Sequence, residues 1–517
     1  MDRLTSWLGR LPLAGTLITL MAMLALWRDN YNRLPIESAW PTIAALAVIA
    51  LSATALLRPL TGDWARAGLV SGLVAIYLFY VPAILGLAPM PRLPSLLAHI
   101  AFIAALGLIA LGLPRQPDRL RELAGKCNLL CIVLLAITAI PLAIQQISLE
   151  GPRRQAQRAL KDFEGQAKAD SPDVWHILFD RYAGADTLRD SYGYDNGPFI
   201  AELRRRGFNV SDQAFSNYQR TAHSVASTMN GTLLDPMSAP MNRQAHDWVP
   251  IYRSLRDNAA LRFFERAGYR TIFAGSWWEP TRFSGKADES LRIRAMPQLA
   301  RLAIDTSSLG VWTKGVDLPY LNGRGDQCLR AKEKFRRLRQ LSRAGERKYV
   351  FAHFLVPHPP FVLNADGSCR SIGRARASSR RDNYVAQLQF ANREVLALVD
   401  SILAGPRPAV IIIHSDEGPW PEPHVGDEQG LGTDPVEVNW ARMPQPKLRE
   451  KMSILLAVRS PQGPPSQMPS SPVQIYPAVL LEHFGSAAQL PPSRHFVFQS
   501  DAQIYRFHDV TTRFDPR

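Results

Sequence analysis

Hydrophobic and polar positions divide the chain into two parts with different periods. Within the first 150 residues, the runs 11–27, 40–57, 67–87, 93–113 and 127–147 contain no Asp, Glu, Lys or Arg. Each is 17 to 21 residues long, close to the roughly 20 residues a helix needs to cross a bilayer core. The pattern predicts an all-α, five-helix transmembrane domain over residues 1–150. The first run is short and preceded by Arg3 and Arg10, so a cleaved secretory signal is a second reading; four further runs at short intervals favour a retained helix. Beyond residue 170 the pattern changes to short apolar runs, DVWHILFD (173–180), YRTIFAG (269–275), YVFAHFL (349–355), AVIIIHSD (409–416) and SILLAVRS (453–460), separated by amphipathic stretches. This alternation predicts an α/β domain over 171–517, a mostly parallel sheet with flanking helices.

Charge fixes an orientation. With the N-terminus in the cytoplasm, the inner segments carry Arg3, Arg10, Arg58, Arg66, Arg115, Arg119, Arg121 and Lys126, and the outer loops only Arg28, Arg33 and Arg92. Basic loops stay inside, so an odd number of crossings places everything after about residue 150 outside the cytoplasm. The expectation is a multi-pass protein of a bacterial-type plasma (inner) membrane with an extracytoplasmic, periplasmic C-terminal domain. The stretch GPRRQAQRALKDFEGQAKAD (151–170) reads as a juxtamembrane connector, drawn to anionic head groups by about 1 kcal/mol per basic residue. The net charge of +15 fits that surface. Nucleic acid is excluded as a partner, because an outward-facing domain rarely meets it and no aromatic-basic binding module is present. Cys328 and Cys369 are the only cysteines of the outer part, where an oxidising compartment permits pairing.

Chemistry concentrates where apolar strands end. Ligands of parallel sheets collect at the carboxyl edges of strands, and Asp180 and Asp416 each terminate such a run. Two carboxylates brought together there, with Glu417 beside them, repel unless a proton or cation intervenes. A divalent metal is the economical explanation. Oxygen ligands favour manganese or magnesium, with calcium or zinc possible. The plainer reading is that Asp416 and Glu417 cap a turn shaped by Gly418 and Pro419. A second segment, FSNYQRTAHSVASTMNG (215–231), reads as a loop entering a helix. A hydroxyl at such an N-terminus, here Thr221, sits where backbone N–H groups favour phosphate and a metal could activate it; ordinary helix capping is the alternative. His176 and His353 point into strand interiors as core residues. His414 lies two positions before Asp416, on the same strand face. His99, inside the fourth apolar run, is a functional candidate by its location alone.

In this order, ILFDRYAGADTLRDSYGYDN, SNYQRTAHSVAS, HFLVPHPPF and IIIHSDEGP resemble the sulfatase-like branch of the alkaline phosphatase superfamily, over about residues 171–510. Apolar helices ahead of such a domain resemble the lipoteichoic acid synthase and lipid A phosphoethanolamine transferase type. The resemblance implies that Asp180 and Asp416 bind the metal, that Thr221 is both ligand and nucleophile, and that His358 contacts the substrate or leaving group. Glu417 stands where most members carry a histidine ligand. Sulfatases carry a Cys or Ser that becomes formylglycine; threonine yields no such aldehyde, so phosphorus chemistry is expected. Arg220, His223 and His414 are candidate substrate-binding residues. The expected activity is transfer of a phosphorus-containing head group from a membrane phospholipid donor to an envelope glycan or lipid acceptor. The alternatives are a phosphodiester hydrolase using water, and a catalytically degenerate envelope-binding protein.

Overall fold

A computed structural model of the protein describes residues 2–86, 92–242, 245–313, 316–321, 323–425, 437–463 and 467–514. The chain separates into two compact units, one of Met1–Gly151 with Met296–Val316 and one of Pro152–Ala295 with Asp317–Arg517.

The first unit is helical. Its apolar runs form α1 (Ala14–Arg28), α2 (Ile36–Thr61), α3 (Trp64–Phe79, continued by Val81–Gly86), α4 (Arg92–Leu111) and α5 (Pro117–Arg158). Four of these, Ile36–Thr61, Trp64–Gly86, Pro94–Leu111 and Pro117–Arg158, are long and apolar enough to cross a membrane. The first predicted crossing corresponds to the shorter apolar helix α1 of 15 residues. Asp63 starts α3 by accepting from the backbone N–H groups of Ala65 and Arg66. α2 and α3 are joined laterally by the Thr54 hydroxyl donating to Ser71 at 2.8 Å.

The second unit is built on seven strands: β1 (Asp173–Asp180), β2 (Asn209–Val210), β3 (Arg270–Ala274), β4 (Glu289–Ser290), β5 (Lys348–Pro357), β6 (Ala409–Ser415) and β7 (Leu456–Arg459). Their spatial order is β2-β7-β6-β1-β5-β3-β4. β6, β1, β5, β3 and β4 run parallel, and β7 is antiparallel to both β6 and β2. The mixed α/β sheet with flanking helices is therefore as the apolar periodicity predicts. β1 is buried along its whole length, which is why it reads as a near-continuous apolar run, as strands covered on both faces do.

Alternation along the central strands then sorts the side chains. Val174 and Leu178 of β1, with Tyr349, Phe351, Val410 and Ile412, belong to one core cluster; Trp175, Ile177 and Phe179 belong to the other. The first face is covered by α6 (Thr221–Asn230) through Ala222, Val225, Ala226 and Met229. The second is covered by α7 (Arg324–Leu341) and α8 (Arg380–Leu403). Within 151–170, α5 continues to Arg158, and Arg153 is buried against Asp247 at 2.7 Å. Cys328 of α7 forms a disulfide with Cys369, their Cα atoms 5.7 Å apart.

Candidate active site

The tips of β1 and β6 are locked together by backbone N–H groups that donate to backbone and side-chain oxygens across the two strands. The Asp416 N–H donates to the Phe179 carbonyl at 3.2 Å. In return the Arg181 N–H donates to Asp416 Oδ1 at 3.2 Å and the Tyr182 N–H to Ser415 Oγ at 2.8 Å. Arg181 turns the chain with φ of 62°, a region that costs a non-glycine residue energy and is often found at functional sites. After Glu417 the chain must run against the end of the helix Gln445–Met452: a Cβ on Gly418 would meet the Glu450 carbonyl at 2.2 Å. That close approach, rather than turn formation alone, accounts for glycine after the two acids.

On the face of the sheet covered by α6, Asp180, His353 and Asp416 converge. Each offers a ligand atom, and these atoms lie within 4.8 Å of one another. All three residues are buried. Asp180 Oδ1, Asp416 Oδ2 and His353 Nε2 have no hydrogen-bond partner, whereas His353 Nδ1 is satisfied by the Thr281 hydroxyl at 2.9 Å. Buried polar atoms without hydrogen bonds are rare and costly, and one on each of three clustered residues matches the donor set of a cation. Burial, and then the neighbouring Asp416, push the Asp180 carboxyl well above its ordinary value. Burial, and then Glu417, raise Asp416 to about 7. Burial, and then Lys334, keep the His353 imidazole well below its usual value and hence neutral, the state that ligates metals. Thr221, the first residue of α6, lies close enough to Asp416 for its side chain to oppose part of that carboxyl's rise.

Glu417 has a different partner. Its Oε1 accepts from the Lys451 ammonium at 2.5 Å and lies 3.4 Å from Arg181 Nε. Both the Lys451 and Glu417 side chains are buried, and the Lys451 ammonium sits 4.7 Å over the ring of Trp420. The negative charge at this position is thus matched by a fixed cation of the protein. The Glu417 Oε2, like the atoms named above, has no hydrogen-bond partner, while the three residues whose ligand atoms cluster are Asp180, His353 and Asp416.

Residues 172–480 match the sequence profile of the family described as Sulfatase. The chain belongs to the sulfatase family. The motifs quoted above carry the same assignment. Solved structures similar to it include the C-terminal periplasmic domain of EcEptC from Escherichia coli in complex with Zn, at 10% identity over 68% of this chain and 95% of that one, TM-score 0.44. The integral membrane lipooligosaccharide phosphoethanolamine transferase A from Neisseria meningitidis matches at 12% identity over 89% and 88%, TM-score 0.34. A protein in the alkaline phosphatase superfamily from Vibrio parahaemolyticus matches at 11% over 68% and 81%, TM-score 0.38. A search of curated proteins finds no match.

The remaining candidates of this sulfatase-family site are distributed around the donors. The His358 N–H donates to the Asp180 carbonyl at 3.2 Å, which seats His358 at the same strand edge; its ring Nδ1 bonds the Pro359 carbonyl. Arg220 is paired with Asp501 at 3.1 Å and stacks 4.7 Å over Trp420. His223 is buried among aromatic rings, donating from Nε2 to the Ile504 carbonyl at 3.0 Å. His414 lies beneath the site. Its Nδ1 donates to the Ser415 carbonyl at 2.8 Å, so its Nε2 accepts from His176 Nε2 at 2.7 Å. His176 Nδ1 then accepts from the Tyr476 hydroxyl at 2.7 Å, which in turn accepts from Tyr349 at 2.6 Å. Sequence reasoning placed His353 in the core and passed over Lys451. A groove of about 780 Å³, lined by Asp186, Arg189, Arg204, Gln213, Phe215 and Arg449 among others, contains none of the donor residues.

Proposed function

We propose that this sulfatase-family protein is a membrane-anchored, metal-dependent transferase that moves a phosphorus-containing head group from a phospholipid to an envelope glycan or lipid. One observation carries the proposal: Asp180, His353 and Asp416 each bring a ligand atom within 4.8 Å of the others and each keep a buried polar atom without a hydrogen bond, with Thr221 beside Asp416 at the start of α6. Asp180, His353 and Asp416 would hold one divalent ion, with Thr221 beside it. Two carboxylates and one imidazole suit manganese or zinc as well as magnesium. Such an ion neutralises charge developing on phosphoryl oxygens and acidifies a nearby hydroxyl.

The protein groups account for the rest. As Thr221 Oγ1 bonds to phosphorus, its proton passes to water at the site, since Asp416 would be engaged as a ligand. The bond from phosphorus to the lipid oxygen breaks, and the leaving diacylglycerol alkoxide takes a proton from His358 or water. In the second half an acceptor hydroxyl attacks the phosphothreonine, gives up its proton, and restores Thr221. A threonine supports phosphorus rather than sulfur chemistry, since the formylglycine route needs Cys or Ser. Helices able to cross a membrane keep the chain where a lipid donor resides.

Sulfatase-family membership supports a second reading, transfer to water. Full-length protein in nanodiscs containing head-group-labelled phospholipid separates the two. The transferase reading expects a mass adduct on the Thr221 peptide, absent in Thr221→Ala, and label on a glycan or lipid acceptor. Label appearing only in water supports hydrolysis, and no adduct with no released label overturns both.

A further inference from the structure

The stretch Met296–Val316 belongs by sequence to the catalytic part of the chain, yet it packs as part of the helical unit. It contributes two short helices, Gln298–Asp305 and Ser308–Thr313. Leu299 and Ala303 are buried in one cluster with Met23 and Trp27 of α1, Ala39 and Ile43 of α2, and Leu142 of α5, with Phe79 of α3 packed against it. Trp27 and Phe79 lie in the last turns of their helices and Ala39 in the first turn of α2, so the insertion covers a single end of the bundle. Two hydrogen bonds pin it there: the Ser308 hydroxyl donates to the Tyr77 carbonyl at 2.6 Å, and the Trp312 indole N–H to the Tyr77 hydroxyl at 2.7 Å. The buried His99 ring of α4 stands edge-on to both Tyr77 and Trp312.

The other side of this insertion is apolar and uncovered. Leu309, Trp312 and Val316 are 49%, 42% and 58% exposed, an arrangement that water disfavours by about 25 cal/mol for each Å² of apolar surface. At the same end of the bundle the spanning helices also present apolar side chains outward: Trp40 of α2 is 61% exposed, and Leu97 and Ile100 of α4 are 57% and 53% exposed. It also sits at a helix end, where a Trp and a Tyr are held at one level with their polar atoms paired. Amphipathic aromatic rings at that level mark the head-group boundary of a bilayer, and a short helix with one packed and one apolar open side lies in that plane.

We propose that Met296–Val316 is an interfacial element of the catalytic chain, seated in the head-group region at this end of the bundle, with Leu309, Trp312 and Val316 against phospholipid. The occupant is the bilayer leaflet itself. Only the further step, that this leaflet supplies the head-group donor, rests on the transferase reading.

The test is photocrosslinking of the full chain in phosphatidylethanolamine–phosphatidylglycerol nanodiscs, with benzoylphenylalanine replacing Leu309, Val316 or, as the lipid-facing reference, Leu108. The expected result is a mass increase of one phospholipid on the peptides carrying positions 309 and 316, at a yield comparable to that at 108. Adducts at 108 with none at 309 and 316 overturn the proposal, as does crosslinking of 309 and 316 to a second copy of the chain in place of lipid. The readout needs no turnover. Lipid adducts in a protein that transfers no head group therefore leave this inference standing and count only against the transferase reading.

Discussion

Lys451 donates to Glu417 across 2.5 Å with both side chains out of contact with solvent. Removing one member of a buried pair leaves the other uncompensated, at about 3–5 kcal/mol, whereas apolar replacement of both is often neutral. Glu417→Ala should therefore destabilise the α/β unit by about that amount, and Glu417→Leu with Lys451→Met should recover most of it. Chemical denaturation of the full chain in detergent measures both. A single variant as stable as the double would remove the pairing from any account of this position.

The same pairing separates Glu417 from His353 as metal donors. Deleting a group that merely orients a ligand costs about 10–100-fold in metal affinity, so deleting a ligand costs at least that. His353→Ala, Asp180→Asn and Asp416→Asn should each lower affinity for manganese by tenfold or more, while Glu417→Gln should stay close to the parent. Equilibrium metal titration gives the affinities. Nitrogen coupling in the spin-echo spectrum of the manganese-loaded protein, lost in His353→Ala, identifies the imidazole directly.

Thr221 should behave as a nucleophile and not only as a helix start. Loss of a nucleophile that acts together with its base costs many orders of magnitude, about 10⁶-fold in a well-studied hydrolase; loss of a capping hydroxyl costs only about 1 kcal/mol in stability. Thr221→Ala should lower head-group transfer by at least about 10³-fold with a melting temperature near the parent's. Thr221→Ser should retain measurable turnover. An inactive serine variant that still folds and binds metal would argue against attack by this oxygen.

Acid should destabilise the fold through its neutral histidines. Burial pushes His223 down to about 3 and His414 to about 4, while in an unfolded chain both titrate near 6.5. Between those values the folded state binds fewer protons than the unfolded state. Stability is then complete above about pH 6.5 and declines as the pH falls toward 4, by up to about 1.4 kcal/mol per pH unit for each histidine. His223→Gln keeps a donor for the Ile504 carbonyl and removes one titrating group. Its unfolding free energy should decline less steeply between pH 6.5 and 4, by about one proton's worth of slope.

The Cys328–Cys369 disulfide closes a loop with a sequence separation of 41 residues that contains both His353 and His358. A loop of this length constrains the unfolded chain by about 4 kcal/mol in the entropic account. Replacing both cysteines with serine should lower stability by an amount of that order, read by denaturant midpoint, with metal affinity falling only as far as β5 loosens.

Asp180, Asp416 and Thr221 could be read from the chain because acids that end apolar runs, and hydroxyls that begin a helix, stand out against their neighbours. His353 could not. It sits inside an apolar run, and its convergence with the acids depends on register: Leu178 is level with both His353 and His414, and a shift between Phe179 and Asp180 places Asp180 opposite Pro357. Lys451 was equally hidden, since nothing local marks which of the three basic residues of the polar helix Gln445–Met452 will turn inward 34 positions from its partner. The apolar spans were legible because bilayer thickness sets their length, and α1, at 15 residues, is the shortest of them. Met296–Val316 carries the amphipathic pattern of any surface helix, and pattern alone does not say which neighbour it joins.

The three donors belong to three strands that are side by side in space but far apart along the chain: Asp180 ends β1, His353 lies within β5, and Asp416 follows β6. No contiguous fragment of the polypeptide can assemble them, and a slip of one residue between neighbouring strands would turn a donor to the opposite face. Ion capture would thus be a late event in maturation, and a tightly bound ion would certify that the centre of the sheet has been stitched together correctly.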